Sequence, residues 1–411
     1  MISYKKSKEI LKKSKIIIKN EIVSVNQSIN RISARNVYCS RNYPAGNNTA
    51  FDGFAINSND TKYLNKRNVK KFKILKRLAA GDNPKIKNID KYSSIEVMTG
   101  ALIPNPFDTV IPIEEINYYP DKKLPKFILI NNKVKKNNHI RFAGSDFKKG
   151  DKIISKGEKV NSSHLLAFKT LGLNNIVVKK RPVIIFYSTG NEISEKINIP
   201  KWKVRNSNSH YIESLSKNSF FKFVNGGILR DKHEKLFKKL VKKNLNKKSD
   251  IIITNGAISA GKFDFVPNVI KKFNLSNYFK GVAMRPGKPI MFAKFKNKNK
   301  TFFGLPGNPI SSAACFRFFV YPYLLLILDM KNDEPFKAKL KSNFKKKIFF
   351  TRFLKAKISN NNKKGIMEVE ILKDQESFKI KSFTTANAWA LLKNGKSTFK
   401  KGELIDCFHL I

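Results

Sequence analysis

Thr301-Phe302-Phe303-Gly304-Leu305-Pro306-Gly307-Asn308-Pro309 joins an apolar strand to an apolar helix through a turn that holds a glycine between prolines. Proline at the first helical position costs nothing, because the N–H it lacks has no intrahelical partner there. Strand, glycine turn and helix N-terminus in succession aim partial positive charge at whatever lies above the turn. A little earlier, Met284-Arg285-Pro286-Gly287-Lys288-Pro289 repeats the proline-flanked glycine beside two cations. An anionic, phosphorylated ligand is the first expectation.

The segments upstream alternate in type. Continuous apolar runs at 183–187, 226–229 and 250–254 read as buried strands, and 210–220, 233–244 and 266–273 as helices. Leu236, Leu240 and Val241 are expected on one face of the 233–244 helix. Apolar strands between amphipathic helices predict a parallel sheet covered on both sides, which binds ligands beyond the carboxyl ends of its strands.

The rest of the chain differs. Residues 3–30 read as a helix and an extended piece, and 150–177 contains a helical stretch. Short strands broken by Gly, Pro and Asn turns fill 45–140 and return after 333. The expected fold class is multidomain α/β plus β: a three-layer parallel-sheet domain (178–332), a β-rich inserted domain (46–139), an elongated linker domain (1–45 with 140–177) and a small barrel-like C-terminal β domain (333–411). A chain of 411 residues exceeds one hydrophobic core, which agrees.

With 82 basic residues against 30 acidic ones, the formal charge is +52. Only 12 of those bases are Arg, and the lysines lie in every segment rather than in clusters. Specific nucleic-acid readers favour Arg for its planar fork, so the expectation is a solvated lysine coat and no specific nucleic-acid partner. Three widely spaced cysteines (Cys39, Cys315, Cys407) exclude a disulfide framework and suit a cytoplasmic setting. The apolar run 318–328, interrupted by Pro322, reads as a buried helix too short for a bilayer, so no membrane partner is expected. The five histidines have no partner spacing, and Trp202 and Trp389 read as packing residues.

Acids are scarce, so those beside glycine turns carry information. Ser188-Thr189-Gly190-Asn191-Glu192 puts Glu192 at one strand end, Asp231 follows the next strand, and Asn255-Gly256-Ala257-Ile258-Ser259-Ala260-Gly261-Lys262-Phe263-Asp264 brings Asp264 to a third. Glycines and small residues let backbone amides approach a phosphate, and the carboxylates suit Mg²⁺ held jointly with it. The simpler reading of each acid alone is a helix cap or surface group. In the β-rich part, Asp52 precedes Gly53 between aromatics, Thr99 precedes Gly100, and Asp108 reads as a turn cap. Asp146, in Arg141-Phe142-Ala143-Gly144-Ser145-Asp146, reads as a buried acid.

Taken in order, these segments resemble one family. Thr49-Ala50-Phe51-Asp52-Gly53-Phe54-Ala55, Met98-Thr99-Gly100-Ala101, Asp108-Thr109-Val110, Gly144-Ser145-Asp146, Ser188 to Glu192, Asn206-Ser207-Asn208, Asn255 to Gly261, Arg285 to Pro289 and Gly304 to Pro309 are similar to the motifs of the MoeA family, the molybdopterin molybdenumtransferases, and to the E domain of gephyrin. Each is weak alone, but nine in order are specific. The resemblance implies a homodimer that takes adenylylated molybdopterin and molybdate, cleaves the phosphoanhydride with Mg²⁺, inserts molybdenum into the dithiolene and releases AMP.

By motif position, the implied catalytic residues are Asp52, Thr99, Asp146, Glu192, Asp231 and Asp264, with Glu192 and Asp264 as metal ligands and Asp52 and Thr99 supplied by the partner subunit. Ser188, Thr189, Gly190, Asn208, Asn255, Gly256, Ser259, Gly261, Pro306, Gly307 and Asn308 would bind the substrate. Arg285, Lys288, Pro289, Arg352 and Ser377 would hold molybdate. Oxo groups leaving as water need proton donors, for which a desolvated carboxylate with a raised pKa is expected. Asn191 stands where the family usually has Asp, Arg285 where it has Lys, and Ala257 where it has Gly, so that φ is expected to stay negative at 257. Two other readings remain: molybdopterin adenylyltransferase, which uses the same α/β domain, and a non-enzymatic polyanion-binding scaffold.

Overall fold

A run such as Ile251-Ile252-Ile253 offers no polar face to water, so it is stable only with a layer packed on each side. The computed structural model, which describes every residue except 248, 260, 262, 263 and 362–364, shows that sandwich. Its six strands are β1 (Val183–Thr189), β2 (Lys222–Leu229), β3 (Ile251–Asn255), β4 (Leu275–Lys280), β5 (Met291–Phe295) and β6 (Thr301–Leu305). They lie in the order β2-β1-β3-β6-β5-β4. The first four run parallel, as expected. β5 and β4 are antiparallel additions at one edge, so the sheet is mixed.

Alternate strand residues serve opposite layers. Ile251, Ile253, Phe303 and Leu305 pack toward Ile212 and the Pro309–Ile327 helix, while Ile252 and Phe302 pack toward Phe237, Val241 and Val269. Each such side chain contributes about 1.5–3 kcal/mol of burial. On the helix at Glu234–Leu245, Val241 is buried and Leu240 packs against the same core as expected, but Leu236 turns outward and Phe237 takes its place. Phe237, Val241 and Asn244 are buried and Leu236 is exposed. Asn244 is tolerated there because its amide donates to Tyr187 Oη at 2.7 Å. The larger side chain, Phe237, decides the rotation.

The helix expected over 309–328 is present as Pro309–Ile327, with Pro322 inside it. It passes through a π-helical stretch at Phe316–Val320, which leaves Pro322 in the first turn of the following α-helical segment, and the Phe318 carbonyl four residues before the proline accepts from Lys8 Nζ at 3.5 Å. At 19 residues it is long and apolar enough to cross a membrane, but 83% of that window is buried in the protein, and it forms the central core helix.

By contacts the chain gathers into two compact units: residues 1–35, 155–165 and 175–411, and residues 36–154 with 166–174. The first contains the three-layer sheet and a C-terminal barrel. In the barrel Phe336–Leu340, Ile366–Ile371, Thr351–Asn361, Ala388–Leu392 and Leu404–His409 close on themselves, because Thr351–Asn361 pairs on both sides. The second unit contains a six-stranded sheet whose core includes Phe54, Phe72, Ile95, Val110 and Ile128. Gly53 is obligatory there, since a Cβ would sit 2.0 Å from the Ile111 carbonyl oxygen. Trp389 is buried as expected, but Trp202 is 76% exposed. All three cysteines are buried and free.

Candidate active site

The carboxyl ends of β1, β3 and β6 are tied together by their own polar side chains. Asn255, the last residue of β3, is buried, and its amide donates to the Pro306 carbonyl at 2.6 Å and to Ser312 Oγ at 3.0 Å. Its Oδ1 accepts from Asn208 Nδ2 at 2.7 Å, and the same Nδ2 reaches the Gly307 carbonyl at 2.7 Å. Thr189 Oγ1 donates to the Asn255 carbonyl at 2.9 Å, and Ser188 Oγ to Asn206 Oδ1 at 2.7 Å. These side chains therefore hold the loops in place.

Above this knot lies a cavity of about 770 Å³ lined by Glu192, Asp231 and Asp264 together with Thr189, Asn208 and Asn308. Gly190, Asn255, Gly256, Ser259, Pro306 and Gly307 line it too. Ser188 and Gly261 do not, although the Gly261 N–H donates to Asp264 Oδ2 at 2.7 Å and so orients that carboxylate. Of the loop preceding Asp264, positions 260, 262 and 263 lie outside the described residues. The Glu192 carboxylate folds over Gly190, whose Cβ, were there one, would meet Glu192 Oε1 at 2.4 Å. Ala257 adopts φ +52°, against the expected negative value. Gly256 before it is also left-handed, at φ +95°, so the chain turns too sharply for extended backbone at 257.

A second cavity of about 720 Å³ adjoins the first, sharing Pro289, Pro306, Asn308 and Phe378 with it. Arg285, Lys288, Arg352 and Ser377 line it. The two arginines meet because Met284–Arg285 pairs in parallel with Thr351–Asn361, placing Arg285 opposite Arg352. Arg285 lies over the Phe350 ring at 4.6 Å. Arg352 Nε is buried with no hydrogen-bond partner among the described residues. Burial first, and then the Arg285 charge, hold the Arg352 pKa below its usual range. Two cations facing each other with a donor left over make a site that an oxoanion would complete. Ser377 reaches it through the turn itself: Asn308 Nδ2 donates to Ser377 Oγ at 3.0 Å, and the Ile310 N–H to the Ser377 carbonyl at 3.1 Å.

Several supporting residues had no sequence signal. Arg230 Nη1 faces the carbonyls of Gly190, Asn191 and Ile193 at 2.9, 3.1 and 2.7 Å, shaping the Glu192 loop. Lys355, fully buried, donates to the carbonyls of Asp374 and Lys379, and Gln375 brackets the Lys355 backbone, so the 374–379 loop is clamped to the barrel. Arg230 is one of 12 arginines and Lys355 one of 70 lysines, and neither position stands out.

Asp52, Thr99 and Asp146 belong to the second unit. Asp52 Oδ1 accepts from both the N–H of Thr99 (2.6 Å) and its hydroxyl (2.8 Å). Those two bonds depress the Asp52 pKa, the opposite of the raised value a proton donor needs. Asp146 is exposed rather than buried, and lines a cavity of about 630 Å³ with Arg41, Arg141 and Gly100. Asp108 is a cap as expected, accepting from the N–H and hydroxyl of Ser58 at 2.7 and 2.9 Å.

Among the described residues no three His, Cys, Asp or Glu side chains converge to hold a metal by themselves. Glu192 and Asp264 line one cavity, however, and Mg²⁺ commonly takes one or two carboxylates and completes its shell with phosphate oxygens and water. The donor set fits an ion that arrives with a phosphate.

Comparison with known proteins identifies the family and the fold. Residues 2–172 match the family model described as MoeA N-terminal region (domain I and II), 185–325 that of a probable molybdopterin binding domain, and 337–410 the MoeA C-terminal region (domain IV). A Staphylococcus epidermidis protein named molybdopterin molybdenumtransferase is 30% identical over 412 residues, covering 98% of this chain and 94% of the relative. A Staphylococcus aureus protein of the same name is 29% identical over 390 residues, covering 93% and 90%. The fold matches the crystal structure of a molybdopterin biosynthesis MoeA protein from Pyrococcus horikoshii with a TM-score of 0.85 at 24% identity, over 100% of this chain and 99% of that one.

Proposed function

Since the chain belongs to the MoeA family of molybdopterin molybdenumtransferases, we propose that its groove binds adenylylated molybdopterin beside molybdate, joins molybdenum to the dithiolene and releases AMP. The observation that carries this reading is the continuity of the two cavities: one lined by three carboxylates above strand ends, the other by paired arginines.

Pterin and nucleotide phosphates occupy the larger cavity, against the Gly256 and Gly307 turns. A Mg²⁺ ion held by Glu192 and Asp264 would neutralise the phosphoanhydride as it cleaves. Arg285 and Arg352 hold the molybdate dianion on a rigid proline turn, with little side-chain entropy lost on binding. The Lys355 clamp keeps Ser377 at the same anion. Because Asp52 is held ionised, protons for the departing oxo groups come from a group other than Asp52. The reading includes a cytoplasmic homodimer in which Asp52, Thr99 and Asp146 of one subunit serve the groove of the other. Mixing inactive Asp52→Ala and Asp264→Ala subunits would then restore part of the activity.

AMP release from adenylylated molybdopterin, measured with and without molybdate and Mg²⁺, tests the function. We expect dependence on both, a loss of about 100-fold or more in Asp264→Ala, and a raised KM for molybdate in Arg352→Ala. A folded sample that releases no AMP rejects the reading, and ATP consumption with free molybdopterin would replace it with adenylyl transfer.

A further inference from the structure

The opposite end of the central sheet, where β1 and β3 begin, carries a further charged cavity that the proposed reaction does not use. It encloses about 620 Å³ and is lined by seven basic side chains, among them Arg31, Lys180, Arg181 and Lys222, against two carboxylates, Glu21 and Asp250. Both acids are already engaged: Glu21 pairs with Arg31, and Asp250 accepts the Val183 N–H at 2.8 Å. No carboxylate pairs with Lys19, Lys180, Arg181, Lys222 or Lys247 among the described residues.

Two arginines are held close rather than splayed into water. Arg31 is 92% buried, its Nη2 donating to the Lys179 carbonyl at 2.9 Å while its Nε has no partner among the described residues. Arg181 Nε is likewise buried, with no partner among the described residues. Burial first, then repulsion from Arg31, lowers the Arg181 pKa. Lys300, on the same wall, is lowered by burial. A solvated lysine coat would show none of this, since exposed cations turn away from one another into water. Here the backbone holds them together, for the Asn299 side chain pins Ile17 through both its groups (2.7 and 2.6 Å) and the Lys180 N–H bonds the Lys19 carbonyl at 2.8 Å.

We propose that this cavity is a second anion site, which takes a compact multivalent anion of the di- or triphosphate class. Its volume suits a small ligand, and the forked donors of Arg31 and Arg181 suit phosphate oxygens. The flanking lysines add charge without geometry, so charge number should matter more than the identity of any attached group.

The test uses inorganic pyrophosphate as probe, with titration calorimetry on the full chain carrying Arg285→Ala and Lys288→Ala so that the active groove contributes little. We expect one pyrophosphate per chain, weakened about tenfold or more by Lys180→Glu with Lys222→Glu, two exposed positions where charge reversal leaves the fold intact by circular dichroism. Monovalent acetate should bind at least tenfold more weakly than pyrophosphate. Absence of pyrophosphate binding, or binding indifferent to the two reversals, overturns the proposal. So does binding of single-stranded RNA that the reversals abolish in the absence of any pyrophosphate binding, which would make the edge a nucleic-acid surface. None of these outcomes depends on AMP release.

Discussion

Two backbone positions beside the groove work against their side chains in different degrees. Ala257 at φ +52° bears a Cβ in a region that costs a non-glycine residue about 1–2 kcal/mol, part of which glycine would give back as chain entropy. Ala257→Gly should therefore stabilise the protein slightly, by about 0.5–1 kcal/mol in urea titration, and leave AMP release intact. Gly287 is the reverse case. At φ +97°, with a Cβ position only 2.5 Å from Cys315 Sγ, it tolerates no side chain. Gly287→Ala should cost at least about 2 kcal/mol, and adding Cys315→Ala should recover only the steric part, leaving the φ penalty. Asp52 can be read by its titration. Its pKa is depressed because Thr99 donates twice to one oxygen, so Thr99→Val should move the carboxyl midpoint upward by NMR. A midpoint that stays put would show that the hydroxyl bond does not form in solution, since the substitution leaves the backbone N–H bond in place.

At the level of elements, the core helix is fastened where it ends. Asp329, just past it, pairs with Lys15, Lys179 and Lys156 at 2.5, 3.0 and 3.2 Å, drawing three distant segments of one unit to the helix terminus. Partial burial by itself would raise the Asp329 pKa, but the three ammonium groups outweigh it and hold the carboxyl well below its usual range. The stabilisation from a depressed carboxyl is complete above the unfolded value of about 3.9 and disappears as pH falls through the folded one. Asp329→Asn should therefore cost roughly 1–2 kcal/mol at neutral pH, allowing for solvent screening, and wild type and variant should converge in acid. The polar knot at the strand ends predicts a different pattern. Asn255→Ala removes partners from Pro306, Ser312 and Asn208 at once. It should lower both stability and kcat, whereas Asp264→Ala lowers kcat alone.

Across the whole molecule, +52 charges repel one another in the folded chain. Raising salt from about 20 mM to about 0.3 M shortens the Debye length several-fold, so Tm should rise while affinity for molybdate falls. A chain whose Tm is indifferent to salt would mean that bound anions already neutralise it. The parallel core was legible because Val183-Ile184-Ile185-Phe186-Tyr187 and Ile251-Ile252-Ile253 have one stable environment, a sheet covered on both sides, and because glycines and acids gather where such strands end. Local pattern thus determined the order of the motifs, the end of the sheet that bears the groove, and the opening of Glu192, Asp231 and Asp264 onto one cavity. What it left open includes everything set by contacts between residues far apart in the chain. The antiparallel β4 and β5 and the left-handed Ala257 come from chain reversals whose geometry the apolar pattern does not carry, while the rotation that buries Phe237 and exposes Leu236 follows from neighbours distant in sequence. So does the meeting of Arg285 with Arg352, and the buried clamp of Lys355, one lysine among seventy. A residue's periodicity records which side of its own element must avoid water, and it carries no record of which other element will lie there.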